Sequence, residues 1–172
     1  TPEEIVFLVN TGDDFEYLGL MISPDIDTMI YNLSGLNDPV RGWGRSDETW
    51  SFMSVMNKIG NEYWFMLGDK DLAMHVERTR RIKMGQTLSE VTQSLSQSFN
   101  IKQNVCPMTD HKVATYIKTE DKVFDFQTYF VKEKCLPKIK EISFDGSVDA
   151  MCSDGLKKVL YDKKLNGIIF SP

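Results

Sequence analysis

An apolar run followed by closely spaced aspartates constrains the fold of this chain more than any other feature. Residues 5–9 read Ile-Val-Phe-Leu-Val, and Asn10-Thr11-Gly12 follows them directly. A run of β-branched and aromatic residues that ends in Asn-Thr-Gly predicts a buried strand that opens into a loop. In open α/β sheets, ligands usually bind beyond the carboxyl end of a strand. Residues 10–28 are therefore the first candidate for a functional site.

Four aspartates lie in this stretch as two pairs, Asp13 with Asp14 and Asp25 with Asp27. Carboxylates at this density form either a magnesium site for a phosphorylated ligand or a set of helix caps and turns. Spacing alone leaves both alternatives open. We expect Asp25 to cap a helix that runs from about residue 26 to residue 33.

Composition excludes several classes of function. The chain has 172 residues, 41% of them hydrophobic, which suffices for one domain or a core with a small subdomain. The formal net charge of -5 argues against a nucleic-acid-binding protein. The three cysteines are widely spaced and form no zinc or disulfide pattern, so we expect a cytoplasmic protein. The sequence shows no membrane-spanning stretch and no signal peptide, and predicts no membrane partner.

The remaining chain changes from helical to strand-like patterning near residue 102. We expect helices that begin at Ser46 and Gly68, the second ending near residue 83, and a third that opens with a capping box from Thr87 to Glu90. Residues 64–67 form either a buried strand or a packed turn. An antiparallel β patch is predicted from three later segments, 112–118, 122–132 and 138–144. A final helix is predicted at 154–164 and a final strand at 166–170.

These elements predict an α/β fold with a Rossmann-like parallel sheet core, a helical insertion and a small antiparallel β patch. We assign residues 1–28 and 105–172 to a discontinuous, incomplete nucleotide-binding core and residues 29–104 to a helical subdomain. Both ends of the chain look truncated, because a terminal strand would lack a covering helix.

The predicted helix after Gly68 carries a second set of candidate residues. Gly68 permits close backbone approach, Asp69 can cap the helix, and free amides at a helix N-terminus bind anions. Lys70 either adds charge toward a phosphate or lies on the surface. His75 and Arg78 share a helical face with Asp71, and this face either lines a cleft or is an ordinary salt-bridged surface.

Several motifs occur together, in the order VNTGDD at 9–14, SPDIDT at 23–28, GWG at 42–44, DETW at 47–50, LGDKDLAMH at 67–75, ERT at 77–79 and PMTD at 107–110. With them the chain resembles the 2-phospho-L-lactate transferase family of deazaflavin coenzyme F-420 biosynthesis. The resemblance covers nearly the whole chain. It implies transfer of a phospholactyl or phosphoenolpyruvyl group from a guanosine-diphosphate-linked three-carbon acid to the hydroxyl of a hydroxy-deazariboflavin. GMP is released, Mg²⁺ assists, and family transferases are often homodimers.

The resemblance also implies roles for individual residues. Asp27 matches the family aspartate that binds deazariboflavin, so it would orient the acceptor and contact the metal; its alternative role is a first-turn helix acid. Asp13 and Asp14 are the other magnesium candidates, against a solvated acidic turn. The roles of Asn10 and Thr11 follow instead from their position directly after the strand, where their amides and side chains either touch phosphate or ribose or form a satisfied turn. The expected substrate-binding set is Asn10, Thr11, Asp27, Met66, Gly68, Asp69, Lys70, His75 and Arg78.

Two departures from the family pattern stand out. Met66 occupies a position where the family usually has Lys or Arg, and a thioether packs against a ring without donating a charged hydrogen bond. The family's glycine-rich GGTG loop and its later Asn-Pro segment are absent from the sequence. Trp43 and Trp64 are either ring-stacking partners or core residues. The alternative function is a nucleotide-sugar-binding regulatory protein of the same fold superfamily; SPDIDT and LGDKD argue against it.

Overall fold

The computed structural model describes residues 5–60, 63–161 and Gly167. The strands are β1 Val6–Val9, β2 Phe15–Tyr17, β3 Leu20–Ile22, β4 Asn104–Pro107, β5 Ala114–Lys118, β6 Val123–Asp125 and β7 Glu141–Asp145. The α-helices are α1 Pro24–Ser34, α2 Ser51–Ile59, α3 Asp69–Lys83, α4 Leu88–Ser98 and α5 Asp154–Leu160, and a π-helix spans Thr128–Lys132.

The expected parallel sheet is present as the pair β1 and β4. Their register runs from Val6 opposite Asn104 to Val9 opposite Pro107. Parallel neighbours need a crossover connection, which here contains α1 to α4. These strands and helices share one buried cluster: Val9, Ile26, Ile30, Tyr31, Met74, Val91, Leu95, Ile101 and Val105. The α/β fold class is therefore confirmed. The cluster draws on both parts of the proposed domain division, which stays a prediction.

A β-hairpin follows β1, where patterning predicts only a loop. Strands β2 and β3 pair in antiparallel fashion, and the two turn residues Leu18 and Gly19 both have positive φ, 54° and 74°. This is the geometry of a type I′ hairpin turn. Leucine is not a typical residue for the first turn position, so the usual Asn-Gly signal is missing. The hairpin's Phe15 and Tyr17 pack against Trp64 and Phe65.

Two expected helix starts are wrong. Ser23, not Asp25, is the N-cap residue of α1, and Asp25 lies in the first turn. The helix expected from Ser46 begins at Ser51, because Asp47 has a positive φ of 54° that no helix accommodates. The helix expected after Gly68 and the Thr87–Glu90 capping box are confirmed in α3 and α4. None of the helices within the described ranges has the length and apolarity that crossing a bilayer requires.

The expected antiparallel patch is a three-stranded sheet in the order β6-β5-β7. The segment 122–132 is only partly strand, because it continues from β6 into the π-helix. Residues 64–67 form a packed turn with Leu67 buried, so the strand alternative is wrong. The final helix is confirmed from Asp154 to Leu160. The helix ends at its C-cap residue Tyr161, and the rest of the expected continuation to 164 and the strand expected at 166–170 lie outside the described residues, apart from Gly167.

Candidate active site

A cavity of about 490 Å³ lies beside the segment that follows β1. Small-molecule sites commonly have volumes of about 300–1,000 Å³. Its carboxylates are Asp13, Asp25, Asp27 and Asp71, and its aromatic residues are Tyr31, Trp43, Trp64, Phe65, Phe126 and Phe130. The lining therefore combines surfaces suited to a planar ring with acids suited to a cation or a hydroxyl group.

The first group of side chains at the cavity contains its own cation, and we call it the Arg78 group: Asp27, Asp71, His75 and Arg78. Arg78 is 1% exposed and binds both carboxylate oxygens of Asp27, with Nη1 3.1 Å from Oδ2 and Nη2 donating to Oδ1. Burial raises the pKa of Asp27, whereas the charges of Arg78 and His75 oppose that rise. The pKa of Arg78 is raised by Asp27 although burial acts to lower it. Asp27 is therefore held by a buried, bidentate ion pair.

Asp71 and His75 extend the Arg78 group along one face of α3. The hydroxyl of Tyr31 donates to Asp71 Oδ1 at 2.5 Å. His75 Nδ1 lies 3.5 Å from Asp27 Oδ2, and its Nε2 lies 3.2 Å from Asp71 Oδ2 without a well-aligned hydrogen bond. Burial opposes ionisation of Asp71, but the nearby His75 imidazole and the hydrogen bond from Tyr31 lower its pKa. This face thus lines the cavity and is not an ordinary exposed surface.

The second group, which we call the Asn10 group, consists of Asn10, Asp13 and Asp25. Asn10 Nδ2 donates to Asp13 Oδ2 at 2.9 Å and to Asp25 Oδ2 at 3.0 Å, so one amide brings the two carboxylates together. Burial and the charge of Asp25 raise the pKa of Asp13, against hydrogen bonds from Thr115 and Asn10. Asp25, which the sequence predicts as a helix cap, therefore faces the cavity beside Asp13.

Asp14 points away from the cavity lining and into the protein. The Ser23 hydroxyl donates to Asp14 Oδ2 at 2.7 Å, while Oδ1 is buried without a hydrogen-bond partner. Burial raises the pKa of Asp14 to about 7. Thr11 is also buried, and its carbonyl oxygen accepts from the Asp14 amide at 3.3 Å. Neither residue lines the cavity as the structure stands.

The N-terminus of α3 is not an open anion site. The amides of Lys70 and Asp71 each donate to the Glu48 carboxylate at 2.8 Å. A Cβ on Gly68 would lie 2.3 Å from Glu48 Cδ, so this glycine makes room for Glu48. The expectation of free amides is wrong, because an acid from the preceding segment already occupies the positive end of the helix. Gly68, Asp69 and Lys70 do not line the cavity.

Four expected site residues, Asp13, Asp27, Met66 and His75, line the cavity, and Arg78 binds Asp27 directly. Phe126 and Phe130 stack at 5.6 Å between ring centroids with an interplanar angle of 9°. Sequence reasoning identified neither residue, because no local sequence pattern predicts a π-helix that lines a cavity. It also missed Tyr31 and underrated Asp71, although Asp71 and His75 stand at helical i, i+4 spacing.

The two groups differ in how well they suit a magnesium ion. Within the described residues, one set of three candidate ligand atoms clusters within 4.8 Å, from Asp27, Asp71 and His75. That set includes an imidazole, and Arg78 already occupies Asp27. Mg²⁺ prefers one or two carboxylates plus water and phosphate oxygens. Asp13 and Asp25 fit that preference better.

The fold and the cavity define an α/β protein with a cavity in the size range of small-molecule sites. Residues 1–172 match the family described as 2-phospho-L-lactate transferase CofD, and the chain belongs to this family.

Curated relatives carry two names. A "2-phospho-L-lactate transferase" of Methanosarcina mazei is 34% identical over 167 residues, which cover 97% of this chain and 55% of the relative. A "Phosphoenolpyruvate transferase" of Kitasatospora aureofaciens is 39% identical over 135 residues, or 76% of this chain and 42% of the relative. The chain thus spans about half the length of the curated relatives it matches. A crystal structure of a Bacillus halodurans protein of the UPF0052 family aligns at a TM-score of 0.48 and 14% identity, covering 88% of this chain and 46% of that one.

Proposed function

We propose that this chain supplies the acceptor-binding part of a transferase of coenzyme F-420 biosynthesis. The reaction moves a phospholactyl or phosphoenolpyruvyl group from a guanosine-diphosphate-linked three-carbon acid to the hydroxyl of a hydroxy-deazariboflavin, with release of GMP. Membership of the CofD family supports this reaction, and both alternatives for the three-carbon acid are represented among the names of the relatives.

The observation that carries the proposal is the pairing of an aromatic lining with carboxylates in one cavity. A deazaflavin ring offers large flat faces that stack on Trp, Phe and Tyr side chains. Trp43, Trp64, Phe126 and Phe130 supply such faces, and Met66 adds a polarisable thioether. We assign the ring to this part of the cavity.

The Arg78 group then orients the acceptor hydroxyl. Transfer to phosphorus depends mainly on positioning and on stabilisation of charge, so a fixed hydrogen-bond acceptor suffices near the nucleophile. Asp27 is rigid because Arg78 holds both of its oxygens. Asp71 is fixed by Tyr31. We assign both carboxylates to accepting the hydroxyl's hydrogen bond.

The Asn10 group is the proposed holder of magnesium. Asp13 and Asp25 would provide its two protein oxygens, replacing the set of Asp13, Asp14 and Asp27 expected from the sequence. Mg²⁺ bound there would neutralise phosphate charge. Asn10 positions the two acids, so we propose a supporting role for it and a structural one for Thr11 and Asp14.

Ligand-dependent thermal stability tests the proposal. We expect deazariboflavin and GDP each to raise the melting temperature of the intact protein, while a nucleotide-sugar leaves it unchanged. A rise in melting temperature with the nucleotide-sugar alone would instead support the alternative function, a nucleotide-sugar-binding regulatory protein.

Replacement of Asp27 tests the orienting role. We expect D27N to lower transfer by about 10²–10⁴-fold, the range typical of a positioned acid–base group. The exposed Asp121 provides the control variant D121N, for which wild-type turnover is expected. Unchanged turnover and acceptor binding in D27N would remove Asp27 from the mechanism. A homodimer and a cytoplasmic location stay predictions, testable by light scattering and fractionation.

A further inference from the structure

Two acids from different motifs cap each other's helices beside the cavity. Glu48 accepts hydrogen bonds from the amides of Lys70 and Asp71 at the start of α3. Asp69 accepts from the amides of Ser51 and Phe52 at the start of α2, both at 3.0 Å. We call this reciprocal arrangement the Glu48–Asp69 clasp.

Further contacts tighten the clasp. The Thr49 hydroxyl donates to Asp69 Oδ2 at 2.5 Å, and the Asp69 amide donates to the Thr49 carbonyl oxygen at 2.9 Å. Neither helix has a side-chain cap of its own, because Trp50 and Gly68 occupy the two N-cap positions. Each helix therefore depends on the other's acid for capping.

The clasp acts on the cavity through Asp71. The same residue that donates its amide to Glu48 presents its carboxylate to Tyr31 and His75. A shift of the α3 N-terminus therefore moves the Asp71 carboxylate and alters its approach to the imidazole. We propose that Glu48 is a positioning residue, which sets the orientation of Asp71 toward the acceptor hydroxyl. This inference rests on the proposed function.

Gly68 provides independent support. Its φ of -70° and ψ of 153° are accessible to any residue, so conformation does not demand glycine. The lack of space beside Gly68 does demand glycine, because an added Cβ would lie 2.3–2.6 Å from Cδ, Oε2 and Cγ of Glu48. The glycine of the GDKD motif thus serves Glu48 of the DETW motif, and the two motifs form one structural unit.

The first experiment compares E48A with a control that removes an equivalent cap elsewhere. Glu90 completes the capping box of α4 and is not one of the residues that line the cavity. We expect E48A and E90A to lower the melting temperature similarly. Only E48A should lower kcat of the transfer, by roughly 10- to 100-fold as expected for a misplaced reacting group, with KM for the GDP-linked donor unchanged. E48Q, which retains one acceptor oxygen, should be intermediate.

A double-mutant cycle isolates the contact between Gly68 and Glu48. G68A alone should reproduce the loss seen in E48A, because the new methyl group displaces the carboxylate. In the E48A background G68A should cause little further loss, since the obstructing side chain is gone. Additive losses would overturn the clasp.

A spectroscopic measurement separates this inference from the proposed function. The chain contains two histidines, His75 and His111, so H111Q assigns the His75 ring signal in a carbon–proton correlation spectrum. At fixed pH, E48A and G68A should move this signal and E90A should not. An unmoved signal, or a moved signal with unchanged turnover in an active enzyme, overturns the inference. A moved signal in a protein that transfers nothing supports the clasp and refutes only the proposed reaction.

Discussion

The Asn10 group and the Arg78 group border the same cavity but differ in how their negative charge is balanced. Asp27 is bound on both oxygens by a buried guanidinium. Asp13 and Asp25 share the neutral amide of Asn10, and within the described residues neither has an ion pair. A buried carboxylate with an internal cation is already charge-balanced and can serve as a fixed hydrogen-bond acceptor, whereas one without a cation favours an external cation. Aspartates close in sequence thus acquire different roles.

Removal of the internal cation should have the largest effect. R78M leaves Asp27 buried without its partner, and breaking one side of a buried ion pair typically destabilises by about 3–5 kcal/mol. Denaturant unfolding would measure the loss. Arg80 on the same helix pairs with Glu77 on the surface, so R80M is the matched control and should show no measurable loss. Equal effects of the two variants would erase the distinction between the groups.

Asp14 is influenced by charges from both groups, those of Arg78, Asp27 and Asp25, and should produce a pH-dependent stability. Its pKa rises from 3.8 to about 7 on folding, so between these values the folded protein holds a proton that the unfolded chain has released. The stabilisation is complete below about pH 4 and is lost as pH rises through about 7, by up to about 4 kcal/mol. D14N should lack this decline and exceed the wild type in stability above pH 7. Urea unfolding across the pH range, with a chelator present, would measure the stability of both proteins. Parallel pH profiles of the unfolding free energy for D14N and the wild type would contradict the prediction.

Magnesium should distinguish the groups directly. At a concentration tenfold above its dissociation constant, a ligand that binds only the folded state stabilises by about 1.4 kcal/mol. We expect Mg²⁺ to raise the wild-type melting temperature and to have no such effect in D13N or D25N. A response that persists in D13N and disappears in D71N would place the metal in the Arg78 group.

The smallest expected effect concerns Met66. M66A removes a thioether from the aromatic part of the cavity and should weaken deazariboflavin binding by roughly threefold, in line with modest sulfur–aromatic contacts. The Mg²⁺ response should stay unchanged, because Met66 belongs to neither group. Fluorescence titration would measure the affinity. M84A, at an exposed site just after α3, is the control. A lost Mg²⁺ response in M66A would show that the ring and metal regions are not separate.

Much of the fold follows from local patterns. The run at 5–9 predicts β1, and the Thr87–Glu90 capping box predicts the start of α4. The β2–β3 hairpin escapes prediction because its turn uses Leu18 at a positive φ. The predicted start of α2 at Ser46 is too early, because a helix that begins there would include Glu48, whereas Glu48 caps α3. Capping preferences describe which residues satisfy helix ends, but they do not reveal which helix a distant acid will reach.

The amino-acid sequence by itself determined the α/β class, the acidic stretch after β1 and the membership of a transferase family. These depend on periodicity and short motifs, which are local properties of the chain. Tertiary structure alone decided that Arg78 neutralises Asp27, 51 positions away, while Asn10 joins Asp13 to Asp25. The charge state and role of a carboxylate depend on burial and on neighbours within a few ångströms. Those neighbours are set by packing, not by spacing along the chain.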